Sequence, residues 1–83
     1  GLVNRALDPG MVDAQIQDFV RMLLTSGPEA LAKAKELLRQ VPRLNFEEAK
    51  RFSVEMIAGL RVSAEAQEGM AAFLEKRQPK WTE

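Results

Sequence analysis

The sequence predicts an all-α fold: about four amphipathic helices behind a short extended N-terminal arm. Three observations predict it. Apolar residues recur at helical spacing in four successive stretches. Proline, glycine and small polar residues stand between the stretches, where helices start and stop. Only the first seven residues read as a strand, and a single strand has no pairing partner.

Gly1 to Leu7 is therefore either a short strand cut off from its sheet or an N-terminal arm, ordered or frayed. Asp8-Pro9-Gly10 opens the first helix, with Asp8 as a cap and Pro9 tolerated in the first turn. Val12, Ile16, Phe19, Val20 and Leu23 form its apolar stripe, widened by Met11 and Leu24, and it should end near Thr25. Ser26 and Glu29 have the spacing of a capping box and start the second helix. Its inner face is Ala30, Leu31, Ala34, Leu37, Leu38 and Val41, and Pro42 stops it. Lys33, Lys35 and Arg39 form its exposed side, a solvated face rather than a functional patch.

Asn45 and Glu48 repeat the capping-box spacing for the third helix. Phe46, Ala49, Phe52, Ser53, Met56, Ile57 and Leu60 are its expected inner side, and Gly59 weakens its end. Ser63 caps the fourth helix, in which Met70, Phe73 and Leu74 share a face. Gly69 inside this helix costs about 1 kcal/mol relative to alanine. It is either simply tolerated or required by a close approach. Lys76 and Arg77 are placed in the last turn, where positive charge suits the helix dipole, and Pro79 ends the helix. Trp81 in the tail folds back on the core or packs on a neighbouring subunit.

Eighty-three residues make one small domain, expected to bury roughly 60–65% of its unfolded surface. Hydrophobic residues at 46% and charged residues at 29% are globular proportions. Twelve basic and twelve acidic residues cancel, which leaves no basic field for nucleic acid and no acidic tail for a basic partner. No apolar run approaches a membrane span, and the first residues lack the pattern of a signal peptide. The absence of cysteine excludes a disulfide scaffold and a thiolate metal site. A start at Gly1 rather than Met is expected of a cleaved product or an engineered piece.

Catalytic chemistry is thinly represented. There is no histidine, cysteine or tyrosine, and no glycine-rich phosphate loop. Glu47 and Glu48 are adjacent and so do not face each other on a helix. Glu65 and Glu68 share a face, but in a first turn where acids suit the dipole. No catalytic or metal-binding residue is assigned, and the 83 residues alone should be inactive. The helices carry more apolar face than one layer can bury, which points to a partner chain.

The run Glu68-Gly69-Met70-Ala71-Ala72-Phe73-Leu74-Glu75-Lys76-Arg77-Gln78-Pro79 resembles the C-terminal signature of the enoyl-CoA hydratase/isomerase (crotonase) superfamily. Gly1-Leu2-Val3-Asn4 resembles the strand that follows the catalytic region there, and Gly27-Pro28-Glu29-Ala30-Leu31 with Lys35 resembles the next helical segment. The resemblance covers essentially the whole chain and implies that residues 1–83 are the C-terminal helical domain, with the catalytic core upstream.

For the whole enzyme it implies addition of water across the double bond of a 2-enoyl-CoA thioester. Two backbone N–H groups form an oxyanion hole and two glutamates handle water and proton, all in the upstream core. No cofactor is implied to be tightly bound; a coenzyme A thioester is the substrate. The resemblance further implies assembly into trimers or hexamers through these helices, and a cytoplasmic location (the mitochondrial matrix in a eukaryote).

By motif position, Phe73 and Lys76 would approach the adenine and the phosphate end of coenzyme A, with Arg77 assisting. A ring supplies an apolar wall and an ammonium meets phosphate as a point charge. Read from spacing alone, Phe73 is a core residue and Lys76 a dipole partner. Two alternatives remain beside the hydratase: a sibling acyl-CoA isomerase or lyase on the same scaffold, and a free-standing helical interaction module.

Overall fold

The computed structural model describes residues 1–82, and among them it is all helical. Helix α1 spans Val12–Thr25, α2 Pro28–Gln40, α3 Phe46–Arg61 and α4 Ala64–Leu74. Short 3-10 turns at Pro9–Met11, Val41–Arg43 and Lys80–Thr82 bridge or extend them. Residues 1–7 form an exposed arm without a regular element. The strand reading of that arm is not realised, for want of a second strand to bond it.

Two of the expected caps form as read. Asn45 Oδ1 accepts from the Glu48 N–H at 2.9 Å while Glu48 Oε2 accepts from the Asn45 N–H at 3.1 Å. Ser63 Oγ accepts from the Ala66 N–H at 3.1 Å. Two others do not. The Asp8 side chain caps nothing; its carbonyl instead accepts from Met11 N–H at 2.9 Å to close the 3-10 turn that precedes α1. Ser26 turns back into the helix it follows, and its hydroxyl donates to the Met22 carbonyl at 2.9 Å.

The N-cap position of α2 thus falls to Gly27, which has no side chain to offer. Glu65 of α4 supplies the missing acceptor. Its Oε2 accepts from Glu29 N–H at 2.8 Å and its Oε1 from Ala30 N–H at 2.9 Å. These are the N2 and N3 donors that an N-cap side chain ordinarily satisfies. Gly27 is fitted to this arrangement, because a Cβ there would overlap the Glu65 carboxylate. The bond ties α4 to the start of α2 across the chain.

The molecule is a thin layer, measuring 46 × 38 × 15 Å. Its radius of gyration is 16.5 Å, against about 12 Å for a compact domain of this length. The accessible surface is 7194 Å², where a compact monomer of this mass would expose about 5,000 Å². The chain therefore buries only about half of its unfolded surface, less than the fraction expected from length.

Ala72 is the one fully buried hydrophobic residue among those described. Phe52, Met56 and Leu60 of α3 and Leu37 of α2 are half-buried where these helices meet, and Leu31 of α2 is half-buried on the side toward Leu23 of α1. Several residues expected to point inward are open instead, including Leu38, Ile57 and Phe46, the last 78% exposed. The α1 stripe is exposed throughout, Ile16, Phe19, Val20 and Leu23 included. Helix α1 meets the rest of the chain chiefly through its C-terminal end, where Trp81 Nε1 donates to the Thr25 carbonyl at 3.3 Å.

Candidate functional site

Helix α4 packs by an unexpected face. Its covered positions are Glu65, Ala66, Glu68, Gly69, Ala71 and Ala72, and Glu65, Glu68, Gly69 and Ala72 among them stand at i, i+3, i+4 and i+7. Phe73 and Leu74 look away from the other helices, Phe73 being 83% exposed, while Met70 borders a depression shared with α2 and α3. The core reading of Phe73 is thereby excluded within this chain. Gly69 has a reason to be glycine: a Cβ there would come 3.0 Å from the Trp81 ring. Trp81 thus folds back over α4, half-buried between Gly69 and the end of α1.

Phe73 and Lys76 sit at the end of α4, but not on one continuous helix. The helix stops at Leu74 and Glu75 is its C-cap. Lys76 then takes a left-handed conformation, with φ of 55°. Arg77 N–H donates to the Ala72 carbonyl at 3.0 Å and Lys76 N–H to the Phe73 carbonyl at 3.3 Å. This pair of bonds is a Schellman motif, and the position Lys76 holds is the one where glycine is usual. A side chain there costs roughly 1–2 kcal/mol. Lys76 and Arg77 accordingly lie beyond the helix rather than in its last turn, because the helix ends at this motif and not at Pro79.

The charges around the turn are unequally shared. Arg77 donates from Nε to Glu75 Oε2 at 2.5 Å and from Nη1 and Nη2 to the two Glu68 oxygens at 2.5 and 3.2 Å. Glu68 Oε1 also accepts from the Lys80 N–H at 3.1 Å. The hydrogen bonds from Arg77 hold the Glu68 carboxyl below its usual range, and both carboxylates push the Arg77 guanidinium further up. Among the described residues no carboxylate pairs with the Lys76 ammonium. The arrangement offers an exposed ring and an uncompensated cation at one helix end, which suits a ligand with a flat apolar part and an anionic part. Arg77, by contrast, is engaged within the chain.

A broad apolar depression lies elsewhere. It has a volume of about 500 Å³ and runs along Ala30, Ile57, Leu60, Gly69, Met70 and Trp81. Neither Phe73 nor Lys76 lines it. Each acid pair weighed as chemistry has a member with a structural partner: Glu48 caps α3, Glu65 caps α2 and Glu68 holds Arg77. The roles of Glu65 and of the Glu68–Arg77 pair were not apparent in the sequence. Gly69 was the one local signal that something comes close to α4.

Comparison with known proteins locates the chain. The profile of the enoyl-CoA hydratase/isomerase family matches residues 1–83. A carnitinyl-CoA dehydratase of Salmonella arizonae is 34% identical, over 98% of this chain and 33% of the relative. A putative enoyl-CoA hydratase of Thermus thermophilus is 32% identical, over 98% of this chain and 32% of its own. The crystal structure of an enoyl-CoA hydratase from Shewanella pealeana superposes with a TM-score of 0.77 at 40% identity, covering 83% of this chain and 26% of that one. The chain spans about a third of the length of the curated relatives it matches. On the family match over its full length and this structural likeness, the chain belongs to the enoyl-CoA hydratase/isomerase family.

Proposed function

We propose that residues 1–83 are the C-terminal helical domain of an enoyl-CoA hydratase, serving subunit assembly and completing the coenzyme A site. The observation that carries this reading is the end of α4: Lys76 held left-handed with its ammonium unpaired among the described residues, beside an exposed Phe73. Strain kept at a position that glycine would fill freely is often part of a binding device. The Phe73 ring supplies a wall for the adenine, and the Lys76 ammonium meets phosphate as a point charge.

The chemistry itself belongs to residues outside this chain. In this reading an oxyanion hole stabilises the charge that develops on the thioester oxygen, and two glutamates move water and proton. The whole enzyme is read as a trimer or hexamer of the cytoplasm. The open apolar faces of α1 and α3 support the assembly role, since isolated layers with such faces acquire partners.

Lys76→Ala in the full-length enzyme tests the reading. It should raise KM for the CoA ester by about tenfold while kcat changes little, because it removes binding remote from the reacting atoms. An unchanged KM refutes the assignment. The likeness to carnitinyl-CoA dehydratase favours one second reading, the same reversible water chemistry on a carnitinyl-CoA ester rather than on a simple 2-enoyl-CoA. The same Phe73 and Lys76 contact would serve it, since the coenzyme A end of the ester is common to both. Hydration and dehydration are one reversible reaction, so the two readings are separated by the acyl group: kcat/KM for a simple 2-enoyl-CoA against carnitinyl-CoA in the full-length enzyme.

A further inference from the structure

The residues on either side of Lys76 are tied to each other. Glu75 precedes it, Arg77 follows it, and their side chains join across it at 2.5 Å. The same guanidinium reaches back nine positions to Glu68, on the packed face of α4. Its Nη1 also donates to the Gln78 carbonyl at 3.2 Å, and Glu68 accepts from Lys80 N–H. The left-handed turn is thus braced by side chains on both flanks as well as by its two backbone bonds.

Charge makes a second point. Two carboxylates, Glu68 and Glu75, stand near the turn, and Arg77 occupies both. With Arg77 present the four charges of Glu68, Glu75, Lys76 and Arg77 sum to zero. Without it the cluster would be net negative, and two freed carboxylates would compete with any anion for the Lys76 ammonium.

We infer that Arg77, bridged to Glu68 and Glu75, is the positioning residue of the Lys76 anion contact: it locks the left-handed turn and keeps both carboxylates off the ammonium. This rests on the reading that Lys76 meets the phosphate end of the CoA ester. In this inference Arg77, engaged by Glu68 and Glu75, acts through the turn that carries Lys76. A lysine in its place keeps the charge but loses the planar fork that spans two carboxylates at once.

The experiment compares two substrates on the full-length enzyme: the CoA ester, and the same acyl group on N-acetylcysteamine, which lacks the nucleotide. The quantity read is the ratio of their kcat/KM values, which cancels any general loss of active enzyme. Lys76→Ala should lower the ratio about tenfold. Arg77→Gln should lower it about three- to tenfold, and more at low ionic strength, where the freed carboxylates are less screened. If Lys76→Ala lowers the ratio and Arg77→Gln leaves it unchanged, the inference is overturned while the Lys76 reading stands. If Lys76→Ala itself leaves it unchanged, both fall. Should Arg77→Gln not fold, Arg77→Lys reads the same ratio. A fall of about two- to threefold is then expected, and no fall overturns the inference.

Discussion

Removing the Glu65 carboxylate should open the start of α2, thirty-five residues away. In Glu65→Ala the N–H groups of Glu29 and Ala30 lose their acceptors, now at 2.8 and 2.9 Å. No neighbouring side chain replaces them, because Gly27 has none and Ser26 is turned toward Met22. Loss of a helix N-cap costs about 1 kcal/mol, rising to about 2 in the stronger cases. The lost charge at the positive end of the helix dipole adds about 0.5 kcal/mol. A half-buried carboxylate with two short bonds belongs near the upper end, so we expect about 2 kcal/mol. Local opening of α2 should then rise about 30-fold.

Amide hydrogen exchange at Glu29 and Ala30 measures this directly. Glu65→Gln, which keeps one acceptor oxygen, should show a smaller increase. Gly27→Ser combined with Glu65→Ala should restore protection. The serine then caps α2 locally, and its Cβ no longer meets the carboxylate. Unchanged exchange in Glu65→Ala, or a double variant no better protected than the single one, would refute the assignment of Glu65 as the cap.

Other outcomes follow from the same structure. Gly69→Ala should gain helix propensity of about 1 kcal/mol yet push Trp81 off α4 from its 3.0 Å approach. In the 83-residue chain, where Trp81 is the sole tryptophan, its emission should shift to the red while stability changes little. Unchanged emission would mean that the ring does not rest there. Glu68 provides a pH dependence. Hydrogen bonding from Arg77 sets its folded value below the usual 4.5, so its contribution is complete above pH 4.5 and is lost as pH falls through the lower folded value. Trp81 emission should report release of the tail in that acid range, and Glu68→Gln should release it at neutral pH as well. Finally, the isolated chain should self-associate through its open apolar faces; a compact monomer at high concentration in sedimentation would contradict this.

The parts of the fold legible in the sequence are those decided within a few residues. Asn45 with Glu48, and Ser63 with Ala66, involve partners one helical turn apart, so their spacing announces them. The same logic failed at Ser26, because a nearby helix end competed for its hydroxyl and an acid distant in sequence took its place. Periodicity located the stripe of Met70, Phe73 and Leu74 but not which way it looks. The chain's own neighbour takes the Gly69 and Ala72 side, where close approach outweighs hydrophobicity. At the candidate site, motif position picked out Phe73 and Lys76. It could not disclose the left-handed turn, since Lys76 occupies a position that sequence rules give to glycine.

A layer 15 Å deep has consequences for the order in which such a segment matures. With almost no interior, its helices are held within the chain largely by polar devices: the Asn45 box, the Ser63 cap, the Glu65 latch and the Glu68–Arg77 brace. Those devices set how often the isolated layer visits its finished shape. In the proposed assembly, contact with a neighbour then consumes that shape and supplies the larger share of burial. Lesions in the latches should therefore register first as slower assembly, and only weakly as instability of the finished particle. Lesions on the open apolar faces should do the reverse, hastening disassembly while leaving the docking rate nearly intact.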